Sequence, residues 1–162
     1  MILNSFQRFL NRVAYFIPGG YHTRPFIHRL RGVHIGKNVW ISQYVYIDEL
    51  HPEAVTIGDN SSIGLCTSIF THFYWGPQRS VGHAGKVHIE ENVFIGPHCV
   101  LLPNVHIGKG TVIQAGTVVS HNVPPETLWG SPKSGPIARV TVPLTHHYSY
   151  EEFIKGLRPV RK

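Results

Sequence analysis

Cysteine, acidic residues and long apolar runs are all scarce in this chain. Cys66 and Cys99 are the only thiols among 162 residues, too few for a disulfide framework, so nothing in the composition demands an oxidising compartment. Charged residues make up only 15% of the chain, which argues against long solvated helices. With 16 glycines and 12 prolines, the composition favours short strands and turns. No apolar run approaches the ~18 residues needed to span a bilayer, and the first residues lack the basic segment, apolar core and small-residue cleavage site of a leader. The expected location is the cytoplasm, and nucleic acid is not an expected partner. At ~100–200 residues per domain, one domain is expected.

Acid is also missing from residues 1–31, which carry Arg8, Arg12, Arg24, Arg29 and Arg31, so the net charge of +6 lies mostly at the chain ends. Phe6, Phe9, Leu10, Val13 and Ile17 recur at helical spacing after a cap at Asn4, and the PGG at 18–20 stops the pattern. A second short helix is expected from Pro25. The favoured reading is that these helices pack an apolar stripe on the domain or a sister subunit. A basic amphipathic surface resting on anionic lipid, at the inner face of the membrane, is the alternative.

What the chain has in abundance is a rhythm of six. Aliphatic residues stand at Ile35, Ile41 and Ile47, at Ile57, Ile63 and Ile69, and then without a break at Ile89, Ile95, Leu101, Ile107, Ile113 and Val119. Four positions after each comes a small or β-branched residue, except at His51 and Phe73, where the rhythm is interrupted. Three positions after, Asn38, Asn60, Asn92, Asn104, Gly110, Gly116 and Asn122 supply residues that tolerate left-handed backbone, and so mark corners. A fixed period means a solenoid whose units bury their apolar faces only against their neighbours. Insertions fall only after a third hexad, which predicts an all-β solenoid of about four triangular coils, three hexads to a coil. The expected organisation is a helical segment over 1–31, a β-helix over 32–140 with a loop inserted at about 73–88, and a tail over 141–162 with a short helix.

The repeat in "IGDNSS", "IGLCTS" and "IGKGTV" resembles the hexapeptide-repeat acyltransferases, across about Gly32 to Val140. The resemblance implies a left-handed parallel β-helix, a homotrimer with active sites between subunits, and acetyl-CoA as acyl donor. "IFTHF" is similar to the segment before the active-site loop of galactoside, maltose and xenobiotic acetyltransferases, which implies that His72 is a general base. A hydroxyl or amine is a poor nucleophile until its proton is removed, and an imidazole suits that task near neutral pH. The chain has 12 histidines, most of which have other roles; corner position, adjoining insertion and motif single out His72. Asp48, Glu49 and Asn104 are the groups close enough in register to orient its ring, although each would serve equally well to solvate a corner. His98 is a corner without an insertion, while His83 and His88 fall in the inserted loop. The His146–His147 pair suggests no partner. Cys99 falls at an inward small position and Cys66 at a corner without a cationic neighbour, so neither reads as a nucleophile.

The same resemblance places the donor along the later coils. Phe94 stands where the family often has Trp near the thioester, and Gly96, Ala115 and Ser120 match positions that meet the pantetheine arm. Lys133 and Arg139, in "WGSPKSGPIAR", are the implied phosphate ligands, at an altered spacing. Glycine and alanine at such positions would also be needed merely to turn a coil. For the acceptor, Trp75 and Arg79 of the insertion, with Asp48, form an aromatic and polar set that suits a sugar ring. Acetylation of a sugar in surface-polysaccharide synthesis is the expected function. Two alternatives stand beside it. The γ-class carbonic anhydrases share the fold, and His83 with His88 has ligand-like spacing, but a third ligand is missing and no metal is expected. A non-catalytic scaffold is the other, and it gives His72 no role.

Overall fold

A residue pair that points inward every six positions can be buried only if the chain turns three times per coil and each strand pairs with the one directly beneath it. The computed structural model, which describes residues 2–72, 85–131, 138–142 and 149–159, has this architecture. Two helices lead: α1 (Ile2–Phe16) and α2 (Thr23–Leu30). Strands of two or three residues follow: β1 (His34–Ile35), β2 (Trp40–Ile41), β3 (Tyr46–Ile47), β4 (Val55–Ile57), β5 (Ser62–Ile63), β6 (Ser68–Ile69), β7 (Val87–Ile89), β8 (Phe94–Ile95), β9 (Val100–Leu101), β10 (Val105–Ile107), β11 (Val112–Ile113), β12 (Val118–Val119) and β13 (Leu128–Trp129). They form three parallel sheets. The first face is ordered β1-β4-β7-β10, the second β13-β11-β8-β5-β2 and the third β12-β9-β6-β3. This is a parallel β-helix preceded by two helices.

Register shows where the insertions lie. Val87 pairs with Val105 and Phe94 with Val112, steps of 18 residues. His34 pairs with Thr56, a step of 22, and Val55 with Val87, a step of 32. The first insertion is a 3-10 turn at Pro52–Ala54. The second leaves after His72, and the Gly85 N–H donates to the Thr71 carbonyl at 2.6 Å, so the returning chain is tied to the point of departure. β7 begins at Val87, which places His88 on a strand of the first face and not in the inserted loop.

The aliphatic and small positions of the hexads form one continuous buried column. Three of the four inward hydroxyls and the thiol find acceptors in the adjacent coil: Ser61 donates to the Glu90 carbonyl at 2.9 Å, Thr67 to Gly96 at 3.1 Å, Thr111 to Pro124 at 2.9 Å, and the Cys99 thiol to Gln114 at 3.2 Å, while the buried Thr117 hydroxyl has no such partner among the described residues. Small polar residues are therefore as suitable as valine at these positions. Burial pushes the Cys99 thiol up, in keeping with a packing role. Corner residues Asn38, Asn60, Asn92, Asn104, Gly110 and Gly116 have positive φ, as their types predict. Tyr44, Cys66, His98 and Glu126 adopt it as well, whereas Asn122 does not; its Oδ1 accepts the His106 N–H at 2.8 Å. Corner geometry imposed by stacking overrides residue preference at those sites.

Phe6, Phe9 and Phe16 are exposed, and α1 turns Asn11 and Ala14 inward. Arg24 and Arg31 are buried and donate to backbone carbonyls of Ile17, Ile41, Ile47 and Asp48, while Arg29 donates to Ile35 and Gly36. Three of the five arginines thus fasten the helices to the first coil, leaving Arg8 and Arg12 exposed.

The chain forms two compact units, Met1–Ser131 and Pro132–Lys162. In the second, β14 (Ala138–Val140) pairs antiparallel with β15 (Leu157–Pro159) around α3 (Tyr150–Lys155). Ser149 and Glu152 close a reciprocal capping box at the start of α3, with Ser149 N–H to Glu152 at 2.7 Å and Glu152 N–H to Ser149 Oγ at 3.2 Å. The parallel ladder thus ends with β13, and 138–140 belongs to the second unit.

Candidate active site

The edge between the third and first faces differs from the other two. Its corner positions are Leu50, His72, Asn104 and Asn122, and only Asn104 among them takes positive φ. Both insertions leave from this edge, so backbone donors here lose the regular coil-to-coil acceptors. Asp48 supplies replacements. One carboxylate oxygen accepts the Leu50 N–H at 2.9 Å; the other accepts the Thr71 N–H at 2.8 Å and lies 2.7 Å from His72 Nδ1. The Asp48 side chain is 0% exposed and that of His72 14%.

Burial pushes the Asp48 carboxyl up, but the N–H donors of Thr71 and Leu50, together with His72, outweigh it and hold the group below the ordinary carboxylate range. A carboxylate accepts from Nδ1–H, which leaves Nε2 as the basic nitrogen of the ring. The ring therefore does not project freely from the corner. It is anchored on its inner side and mostly covered, as a general base requires if its tautomer is to be set.

Asp48, expected at the acceptor surface, is instead sealed beneath the corner, because three N–H donors hold its oxygens inside the coil. The other two orienting candidates have other neighbours. Glu49 accepts from Asn11 Nδ2 at 3.3 Å and faces Arg8 at 3.6 Å, both on α1, and Asn104 lies against Gly85. Trp75, Arg79, His83, Lys133, His146 and His147 lie outside the described residues. Arg139 is exposed on β14 of the second unit.

Sequence reasoning missed the support beneath Asp48. Arg31, 1% exposed, donates to the Asp48 carbonyl at 2.7 Å and the Ile47 carbonyl at 2.9 Å, and its other terminal nitrogen donates to His28 Nδ1 at 2.9 Å. A buried chain of hydrogen bonds thus runs from His72 through Asp48 and Arg31 to His28 on α2. Nothing in the hexads signals it, since Arg31 and His28 precede the first one. Burial, reinforced by the charges of Arg31 and Arg24, pulls the His28 imidazole down from 6.5 to about 3.

That shift fixes a pH dependence. Between its ordinary value and the folded value, the unfolded chain binds a proton that the native chain refuses, so stability is full above about 6.5 and falls as the solution is acidified toward 3. The depressed Asp48 carboxyl acts in the same direction at lower pH. Urea unfolding at pH 5 should show on the order of 2 kcal/mol less stability than at pH 7. Equal midpoints at the two pH values would mean that His28 is not buried neutral.

Of the donor-side residues, Phe94 and Gly96 stand away from the His72 edge, whereas Ser120 follows β12 on the third face, in register with Phe70. Phe94 stands on β8 of the second face, 49% exposed, in an apolar groove of about 570 Å³ with Tyr21, Trp40, Leu65 and Pro97. Gly96 follows two residues later; a Cβ there would meet the Ala115 nitrogen at 2.6 Å and the Ile113 carbonyl at 2.8 Å, so the coil spacing itself requires glycine. Ala115 and Ser120 are exposed, and Ser120 Oγ lies 2.9 Å from His121 Nδ1. The second face lies opposite the His72 edge of a three-sided prism.

Comparisons with known proteins agree with this architecture. The bacterial transferase hexapeptide (six repeats) family matches residues 86–121. YvoF of Bacillus subtilis is 38% identical over 90 residues, covering 56% of this chain and 51% of that protein. The galactoside O-acetyltransferase of Escherichia coli is 34% identical over 100 residues, covering 59% and 48%. This chain spans about half the length of the curated relatives it matches. Among solved structures, a hexapeptide-repeat-containing acetyltransferase of Vibrio cholerae, complexed with acetyl coenzyme A, superposes with a TM-score of 0.65 at 24% identity, covering 80% and 82% of the two chains. Repeat, fold and relatives converge: residues 86–121 match the bacterial transferase hexapeptide family, and the chain is similar in sequence and in fold to acetyltransferases built on that repeat.

Proposed function

We propose that this chain transfers an acetyl group from acetyl-CoA to a hydroxyl of a sugar, with His72 as general base. The observation that carries the reading is the 2.7 Å contact between His72 Nδ1 and the buried Asp48, at the edge where the long insertion departs. His72 Nε2 takes the acceptor proton as its oxygen attacks the thioester carbonyl carbon. A C–O bond forms, the C–S bond breaks, and the imidazolium returns its proton to the departing sulfur. Asp48 stabilises the imidazolium without itself being protonated.

The names of relatives support donor and acceptor: one is a galactoside O-acetyltransferase, and the Vibrio structure contains acetyl coenzyme A. The prism supports a site shared between chains, because Phe94 of one protomer could reach the thioester held at His72 only across a subunit boundary. We infer a homotrimer, with Phe94, Gly96, Ala115 and Ser120 contributing to the donor surface. Exposed Phe6, Phe9 and Phe16 beside Arg8 and Arg12 suit contact with an anionic membrane on which a carrier-linked sugar would be held. A role in surface-polysaccharide synthesis at the cytoplasmic face fits that arrangement. His88 is a strand residue and not part of the insertion, and its partner in the carbonic anhydrase reading, His83, lies outside the described residues.

Thiol release from acetyl-CoA, followed with a panel of mono- and disaccharides, tests the proposal directly, together with calorimetric titration of CoA. Turnover with at least one sugar and saturable CoA binding are expected. If CoA does not bind and no acceptor releases thiol, the reading fails.

A further inference from the structure

The coil period brings together three side chains on the first face that the proposed transfer does not use. His88 on β7 and His106 on β10 are direct partners in the parallel register, one coil apart, so their rings stack outward with centroids 4.9 Å apart. Glu90 lies two residues beyond His88, which returns its side chain to the same outer surface. The other coils of the first face carry glycine at this position, Gly36, Gly58 and Gly108. One Glu90 oxygen contacts His106 Nε2 at 2.8 Å, while the other accepts the Lys109 N–H at 2.7 Å. One donor atom from each of His88, Glu90 and His106 falls within 4.8 Å of the others.

We propose that His88, Glu90 and His106 form a surface site for a borderline divalent cation of the zinc class, clamping adjacent coils of the β-helix. Two imidazole nitrogens and a carboxylate oxygen favour zinc, nickel or cobalt over magnesium or calcium, whose preferred ligands are all oxygen. The rigid ladder fixes the spacing of the two histidines, and all three side chains are solvent-accessible enough to close on one ion by small rotations. The Lys109 N–H bond holds the carboxylate from behind, as outer-shell bonds do for metal ligands generally. The remaining positions on the ion face solvent.

The site is separate from the His83 and His88 pairing considered from the sequence. Its ligands come from two strands of one face, and it takes no part in proton removal at His72. Its expected consequence is stability. An ion held by β7 and β10 binds only where both strands are in register, so it favours the native state.

The test uses untagged, chelator-treated full chain, titrated with zinc in competition with a chromophoric chelator. One zinc per chain is expected, with a rise in thermal midpoint and, for cobalt, visible d–d absorption. His88→Gln, Glu90→Gln and His106→Gln should each weaken binding by about tenfold or more and abolish the thermal shift. Magnesium should not compete, and His72→Ala should keep the site. Circular dichroism would confirm that each variant is folded. The proposal is overturned if zinc does not bind, if binding survives all three glutamine variants, or if it is lost in His72→Ala instead.

Discussion

Replacing His72 with alanine should lower kcat for acetyl transfer by about 10²–10⁴-fold, the range over which a positioned general base acts, with the KM for acetyl-CoA nearly unchanged. In the proposed mechanism the imidazole at this corner removes the acceptor proton. Its Nδ1 faces Asp48 at 2.7 Å, and Nε2 is the nitrogen proposed to take the acceptor proton. The variant should stay folded, because the ring is partly exposed and lies outside the buried column. Initial rates with saturating acetyl-CoA and the best sugar would decide the matter. Wild-type turnover in the alanine variant would refute the assignment.

Asp48→Asn should be nearly as damaging to kcat, by roughly 10²–10⁴-fold on the precedent of triad carboxylates, and unlike His72→Ala it should also destabilise the fold. The carboxylate accepts from three N–H groups through two oxygens, with Thr71 and His72 sharing one of them. An amide cannot reproduce this in either orientation. With its oxygen toward Thr71 and His72, the NH₂ opposes the Leu50 N–H. Rotated, it opposes the Thr71 N–H and donates to Nδ1, which moves the ring proton to Nε2 and removes the base. A buried donor left without an acceptor costs about 1–3 kcal/mol. Kinetics and thermal melting of the same variant separate the two effects: a residue needed only for packing would lower the melting temperature and leave kcat at full occupancy intact. Asp48→Glu should not rescue activity, since a longer side chain displaces the oxygens from all three donors.

The pair also shows where sequence reading stops. His72 was legible because its motif and the break in the hexads coincide there. Asp48, Glu49 and Asn104 were equivalent as partners, because register alone places all three within a coil of the ring. The choice fell to Asp48 through the backbone path at a corner interrupted twice, where a carboxylate is drawn inward to satisfy the Leu50 and Thr71 donors. The same limit explains the corners. Asparagine and glycine predicted positive φ at Asn38, Asn60, Asn92, Asn104, Gly110 and Gly116, but stacking forces Tyr44, Cys66, His98 and Glu126 into that region and leaves Asn122 out of it. His88 and His106, by contrast, stand one uninterrupted coil apart, and their adjacency follows from the 18-residue step once the period is known.

By itself the sequence determined the inward column, the three-sided winding and the edge from which both insertions leave, because a strict period admits few ways to bury one aliphatic in six. The tertiary structure alone decided the hidden partner of His72, the burial of Arg31 and His28, and the exposure of the aromatic face of α1. Those features depend on unpaired backbone donors and buried charges meeting across coils and helices, and no local pattern of residue types encodes such meetings.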